Sequence, residues 1–533
     1  MTEAQTGSER EKKEEQPKAI PESRRARRAR ERETRRQAKK AAHQLRQRQA
    51  EQGLKPPAST TIANRTSPWK TTDEEREARQ GAIAEQLKVY RAALPTLLRR
   101  LAKIPDPRNA KTIRHKSTVL MLYGMLLFVF HMGSRREANR QMTLPQFQEN
   151  LRLLFPELES LPHQDTLNRL LARIEVEQLE ATLVELIQHF IRKKKFYRYL
   201  VSNCYPIAID VTEKMVRGWL WSEQCLERTV HSPQPQADGS GGRPTQYYVY
   251  VLEANLVFAN GMTIPLLSEF LSDAEGDQGN DKQDCELKAF YRLAKRLHTY
   301  FPRLPILVLL DGLYANGPVL QLCRDYGWQF MIVLKDECLP SVWEEFRGLG
   351  QLQPKQHREQ NWGNRKQHFR WVNGIEYRYG EHQRKRQILH VVVCQETWEE
   401  IALDSPQPMR KSSRHAWISS TALSRENVHE RCNLGARHRW AIESNLLVEK
   451  HHGYHYEHCF SQNWNAMKGY HFLMRLGHLL NTLAHHTAPL ARLVRSRGVR
   501  GLIQFLRETC SGPWLNAEQI RRLLAAPGQL RLE

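Results

Sequence analysis

The stretch Leu304-Pro-Ile-Leu-Val-Leu-Leu-Asp311-Gly312 decides the fold. Its near-continuous apolar run suits a central strand covered on both faces. The run ends on a carboxylate, followed by Gly312. Upstream, Pro206-Ile-Ala-Ile-Asp210 repeats the pattern, a short buried strand ending in an acid. Between them, Tyr247 to Phe258 and Thr263 to Leu271 read as strands joined through Asn260-Gly261, a hairpin turn pair. Leu287, Phe290, Leu293 and Leu297 then recur at helical spacing. A helix near 315–326 and a strand from Gln329 to Leu334 complete the order. The pattern predicts an α/β fold: a mixed sheet with helices on it.

The flanks read differently. Residues 1–66 form a basic low-complexity tail, with 17 Lys/Arg against 9 Asp/Glu up to Thr60 and the run Arg24-Arg-Ala-Arg-Arg-Ala-Arg30. It reads as a disordered arm, open to non-specific contact with phosphate backbones. Residues 67–200 read as an all-helical domain whose Arg-rich edges (Arg99-Arg100, Arg135-Arg136, Arg192 to Lys195) suit either DNA contact, as in a DNA-end-binding domain, or plain solvation. Thr72-Asp-Glu-Glu75 is a capping-box pattern opening its first helix, Pro95 bends or interrupts that helix, and Asp165 or Thr166 caps a later one. Residues 201–344 hold the first part of the α/β domain. Residues 345–430 are a β-rich insertion in which Asn373-Gly374 is a second hairpin signal. Residues 431–487 return to the α/β domain, and 488–533 form a C-terminal helical region.

Composition narrows the partners. The chain has 533 residues, enough for several cores, and 81 Lys+Arg against 58 Asp+Glu, a net charge of +23. Nucleic acid is the leading partner for such a chain, an anionic membrane surface the second. The longest apolar run, Val119 to Met132, is too short to span a bilayer and reads as a buried helix. Nine dispersed cysteines without a C-x-x-C pair argue for a reducing compartment. A cytoplasmic, nucleoid-associated protein is expected.

Arg437-His-Arg-Trp-Ala-Ile-Glu-Ser-Asn-Leu-Leu-Val-Glu-Lys450 contains no Gly or Pro and reads as a helix. At about 100° per residue, Arg439, Glu443 and Lys450 fall within roughly 40° of one another beside an apolar stripe. Taken alone, that is an ordinary charged stripe. Asp210 and Asp311 at strand ends, with Glu443 on a later helix, change its meaning, because strand ends of an open α/β sheet are where sites form. Three converging carboxylates repel one another unless a divalent cation neutralises them. Oxygen ligands suit Mg²⁺ or Mn²⁺, and two such ions about 4 Å apart activate a water or 3′-hydroxyl at a phosphodiester. Singly, Asp210 and Asp311 read more simply as turn caps. Asp273, Asp277, Asp281 and Asp284 form a competing acidic cluster, read chiefly as a solvated helix entry. His451-His-Gly-Tyr-His-Tyr-Glu-His458 fits no familiar zinc spacing. Trp362 and Trp371 suit either hairpin core or stacking on a flipped base.

In the order Asp210, Asp311, Glu443, the chain resembles the DDE transposases of bacterial insertion sequences. Arg439, Glu443 and Lys450 match most of that group's Tyr-two-Arg-three-Glu-six-Lys signature; the Tyr position falls at Ala436, where Trp440 or Arg437 could partly compensate. Lys282-Gln-Asp-Cys-Glu-Leu-Lys-Ala-Phe290 and Leu309-Leu-Asp-Gly-Leu-Tyr-Ala-Asn316 also look like such transposases. The resemblance covers roughly 100–490. It implies a ribonuclease H-like fold with a β-rich insertion. It implies DNA strand cleavage and transfer, Asp210, Asp311 and Glu443 as metal ligands, and Arg439 and Lys450 on the phosphates of the transposon ends. The expected partners are double-stranded DNA (terminal inverted repeats and target), bound by a dimer, and no membrane. A catalytically silent DNA-binding repressor or scaffold and a general Mg²⁺-dependent nuclease are the alternatives.

Overall fold

The computed structural model of the chain describes residues 23–55, 62, 64, 66–230, 245–273 and 283–533. It divides into two compact units. One comprises Met1–Ala58, Glu359–His368 and Cys394–Arg414, the other Ser59–Arg358, Phe369–Val393 and His415–Glu533.

In the first unit, the basic arm is not the disordered segment expected. Residues Arg24–Glu51 form helix α1, capped by the Ser23 hydroxyl, which accepts from the Ala26 amide at 3.2 Å. The physical reason is local: this stretch contains neither Gly nor Pro and is dominated by Arg, Ala and Gln, all good helix formers. Its C-terminal end is held by insertion strands. Gln49 donates to the Glu399 carbonyl at 3.1 Å, Asn361 to the Gln52 carbonyl at 3.1 Å, and Lys55 to the Gly363 carbonyl at 2.8 Å. Residues 1–22 of the expected arm lie outside the described residues.

In the second unit, helices α2 (Thr72–Leu101), α3 (Ser117–Val129), α4 (Arg135–Met142), α5 (Pro145–Leu154), α6 (Gln164–Leu171) and α7 (Glu177–Arg192) come first. The capping box of α2 begins one residue earlier than expected. Thr71 accepts from the Glu74 amide at 3.2 Å, and the Glu74 carboxylate takes the Lys70 amide at 2.7 Å. Pro95 sits inside α2 without ending it. His163, rather than Asp165 or Thr166, caps α6, through its ring nitrogen and the Asp165 amide at 3.3 Å.

The sheet follows: β1 (Tyr205–Arg217), β2 (Leu226–Thr229), β3 (Thr245–Val257) and β4 (Thr263–Phe270), then α8 (Glu286–Tyr300), β5 (Ile306–Leu310), α9 (Gly317–Asp325), β6 (Gln329–Val333) and α10 (Pro340–Leu352). Insertion strands β7 (His357–Trp362), β8 (Arg365–Tyr379), β9 (Lys385–Ile401) and β10 (Pro408–Ser419) lead to α11 (Trp440–His451), α12 (Trp464–His485), α13 (Ala488–Ser511) and α14 (Ala517–Ala525). Strands pair in the order β2-β3-β1-β5-β6-β10-β9-β8-β7, with β4 also on β3. The β1–β5 and β5–β6 pairs are parallel; β1–β3, β3–β4 and β6–β10 are antiparallel. The architecture is a mixed α/β sheet with many helices.

Two local readings are corrected. Strand β1 does not end at Asp210; it continues to Arg217 because residues 210–217 pair antiparallel with β3. Asn373-Gly374 is not a hairpin turn. Strand β8 passes through it, with Gly374 at φ +79° and both Asn373 amide atoms bonded to the Leu423 backbone at 2.8 Å. A side chain that satisfies a neighbouring segment's backbone removes the need for a turn there.

Helix α12 is buried along nearly its whole length and crosses α3 at close range. A Cβ on Gly477 would meet the Met125 carbonyl oxygen at 3.0 Å, a backbone atom that cannot swing away. Gly477→Val is therefore expected to lower stability by about 1–3 kcal/mol. Gly81, in α2 with open space around it, is expected to respond oppositely. Gly81→Ala should raise stability by about 0.5–1 kcal/mol. Urea unfolding followed by circular dichroism measures both; a Gly477→Val variant as stable as the parent would refute the close crossing.

Candidate active site

The register of β1 and β5 builds the site. Their parallel pairing runs from Tyr205↔Ile306 to Ala208↔Leu309. Asp210 and Asp311 each lie two residues beyond the last pair, at equivalent positions on neighbouring strands. Past that point β5 stops, and Asp311 caps the short 3-10 turn Gly312–Tyr314, accepting from the Leu313 amide at 2.7 Å. The turn-cap reading of Asp311 thus holds, and one of its oxygens is engaged in it.

The third acid arrives on a helix that follows β10. The expected single helix over 437–450 is two pieces, a 3-10 turn (Ala436–Arg439) and α11, and a π-helical segment (Glu430–Gly435) leads into them. Buried Arg431 ties the π-helical segment to β6, donating to Gln329 at 2.7 Å and to the Phe330 carbonyl at 3.4 Å. Gly435 lets the turn pass close to Val201 and Leu307, where a Cβ would lie 3.3–3.4 Å from their side chains. Arg439 emerges beside β1 with its side chain only 7% exposed. Its guanidinium donates to Glu443 at 2.7 Å and to Asp210 at 3.5 Å. Two of the three expected carboxylates therefore share one cation supplied by the chain.

Asp311 is not bonded to that arginine; its carboxylate lies 3.8 Å from the Lys335 ammonium. Among the described residues, no three His, Cys, Asp or Glu side chains are grouped closely enough to hold a metal ion. The donor chemistry nevertheless suits a hard cation: all three side chains present carboxylate oxygens, and the Asp210–Glu443 pair already draws a positive partner. The other two basic residues have partners within the chain. Lys450 pairs with Glu457 at 2.9 Å, and Arg437 donates to Asn433 at 3.1 Å. Ala436, at the signature's Tyr position, is buried, whereas Trp440, beside Arg439, is 59% exposed.

Burial pushes the Asp210 carboxyl up to about 6; Arg439 opposes this, while Glu443 and Glu286 add to it. Glu286 was not among the expected ligands. It opens α8 and accepts from the Tyr314 hydroxyl at 2.7 Å. Its carboxyl is raised by burial and by Asp311. Glu286 thus electrically joins Asp210 and Asp311. Its only trace in the sequence was its place within Lys282–Phe290, one of the segments that carry the resemblance. Lys335 was missed because nothing distinguishes one Lys after a strand until β6 is seen to lie beside β5.

The competing clusters resolve differently. Asp284 forms a two-point ion pair with Arg292, at 2.6 and 3.2 Å. Asp277 and Asp281 lie outside the described residues. Trp371 is 3% exposed, which removes it from base stacking. Among the described residues no helix is long and apolar enough to cross a membrane.

Residues 98–187 match the family model described as DDE_Tnp_1-associated. No curated protein matches the chain. The matched segment lies wholly in the helical region before β1, so a transposase-associated segment precedes the three acids in the chain.

Asp210 yields a pH signature in chelator. Its folded-state carboxyl near 6 stands above the ordinary value of about 4. Between those values the folded chain holds the proton more tightly than the unfolded chain, so this group lowers stability as pH rises through the window. Asp210→Asn is expected to be more stable than the parent above pH ~6, by about 2 kcal/mol, with no gain near pH ~4. Denaturant unfolding across that range tests this; parallel pH profiles for the two chains would refute it.

Proposed function

We propose that this chain is a DDE-type transposase that binds transposon ends and catalyses divalent-metal-dependent DNA strand cleavage and transfer. The observation that carries the reading is the convergence of Asp210 and Glu443 on Arg439, with Asp311 at the matching position of the adjacent strand. The transposase-associated match at 98–187 supports it. So does the net charge of +23, which suits a polyanionic partner.

On this reading Asp210, Asp311 and Glu443 hold Mg²⁺ or Mn²⁺ in a ribonuclease H-like domain. Bound there, the metal supplies activation of a water or 3′-hydroxyl and charge stabilisation at the phosphodiester. The chain's own residues do the rest. Arg439 neutralises Asp210 and Glu443, and with those carboxylates on a cation its guanidinium would be available to a phosphate oxygen. Lys335, beside Asp311, and exposed Trp440 lie where a DNA backbone and an unstacked base would approach. Bringing two transposon ends together would favour a dimer on DNA. Two observations favour a second reading, a DNA-binding scaffold without chemistry: Arg439 already occupies two of the acids, and Ala436 replaces the signature Tyr.

Cleavage of DNA carrying the element's own ends, with Mg²⁺ or Mn²⁺, separates the readings. Asp210→Asn, Asp311→Asn and Glu443→Gln are each expected to keep end binding and to lose cleavage to the level of a protein-free control. Parent-like cleavage by any of the three would remove that residue from the site. Binding without metal-dependent cleavage by the parent would favour the scaffold, and cleavage indifferent to end sequence a general nuclease.

Helix α1 carries much of the basic charge on an exposed surface. Removing residues 1–55 is expected to weaken DNA binding uniformly across sequences. It should also reduce the slope of log affinity against log salt by several units, about one for each phosphate that α1 neutralises. An unchanged slope would show that α1 does not touch DNA.

A further inference from the structure

Four ionisable side chains are buried on and beside the elements that carry the site. Glu253 and Glu449 are 0% exposed, as is Arg475, and Lys214 is 5% exposed. Arg475, on α12, donates to Glu449 at 3.2 and 3.4 Å and forms an ion pair with Glu253 at 3.1 Å. It also donates to the Asn255 side-chain oxygen at 2.5 Å. His478 lies 2.6 Å from Glu449; Ser268 and Tyr456 donate to Glu253 at 2.7 and 2.9 Å. Lys214 donates to the Tyr456 carbonyl at 3.0 Å and packs over its ring.

The positions of these residues matter more than their number. Glu253 is the direct cross-strand partner of Asp210, so the two acids share one face of the sheet. Lys214 lies four residues beyond Asp210 on the same strand. Glu449 lies six residues beyond Glu443 on α11, about 9 Å along the axis and about 120° around it. One face of α11 thus presents Glu443 to the site while another drives Glu449 into the interior. Arg475 joins the strand neighbour of the first acid to the helix that carries the third.

Stability alone does not account for such a cluster, since well-packed apolar residues commonly serve as well or better than buried ion pairs. Geometry does account for it. A rotation of α11 by one residue would leave the Glu449 carboxylate in the interior without its cation, a costly arrangement.

We infer that Glu449 and Arg475 are positioning residues for the carboxylate site. The buried Glu253–Arg475–Glu449 bridge sets the rotation of α11 against β1 and β3, and with it the meeting of Glu443 and Asp210. This rests on the metal-binding reading above.

The test uses the full chain without DNA, with Mn²⁺ alone as probe and its electron paramagnetic resonance spectrum as the readout. The parent is expected to bind Mn²⁺, and Asp210→Asn to bind it much more weakly. Glu449→Gln, folded by circular dichroism and with DNA affinity unchanged, is expected to bind Mn²⁺ about 10- to 100-fold more weakly and with an altered spectrum. The double variant Glu449→Gln/Arg475→Gln removes one charge of each sign and leaves Lys214 to offset Glu253, so it should fold where the single variant does not, and should show the same weakening. Parent-like Mn²⁺ binding by whichever variant folds overturns the positioning role and leaves the metal reading standing. Failure of both variants to fold overturns it too, since the bridge would then serve the fold rather than the site. A parent that binds Mn²⁺ no better than Asp210→Asn overturns the metal reading, and this inference with it.

Discussion

The site depends on where β1 loses its parallel neighbour. Up to Ala208 the strand is paired on both edges and buried; beyond it, pairing with β5 ends and only β3 remains paired. Two carboxylates can exist at that point because the loss of pairing opens one side of the sheet to solvent and to α11. Asp210 remains close enough to the core for burial to dominate its protonation, yet its side chain keeps 22% of its exposure. A residue further down either strand would be sealed in the interior, and one further out would have no neighbouring strand to hold its companion.

Arg439 resolves the electrostatic problem this creates. Two acids drawn together at the edge of a core repel one another, and a guanidinium presents donors to both in a fixed fork. The π-helical and 3-10 segments before α11 deliver it there, anchored by buried Arg431. The same side chain that marks the family-like signature is therefore a structural counterion to the acids. Its expected role on phosphate requires those acids to find another cation.

The parts legible in the sequence were those governed by local physics. The apolar run ending at Leu310 needed a buried strand wherever it went, and β5 is fully buried. Acidic residues after Thr71 needed a helix N-terminus, although the cap proved to be one residue earlier. The readings that failed turned on partners distant in sequence. Strand β1 continues past Asp210 because β3 pairs with it, and Asn373-Gly374 stays within a strand because Leu423 satisfies Asn373.

By itself, the sequence determined the mixed α/β class, the helical region before it, the basic balance and the identity of three candidate acids. Each follows from composition, periodicity or family-like spacing, which a chain carries without folding. Only the tertiary structure decided which acids meet, because that depends on strand register and helix rotation. It brought Asp210 and Glu443 to one arginine, set Asp311 beside Lys335, added Glu286 to the same electrostatic neighbourhood, and buried Arg475 between Glu253 and Glu449. These meetings join segments tens to hundreds of positions apart, so no local rule of spacing or propensity contains them. They form only once the strands are in register and the chain has closed around them.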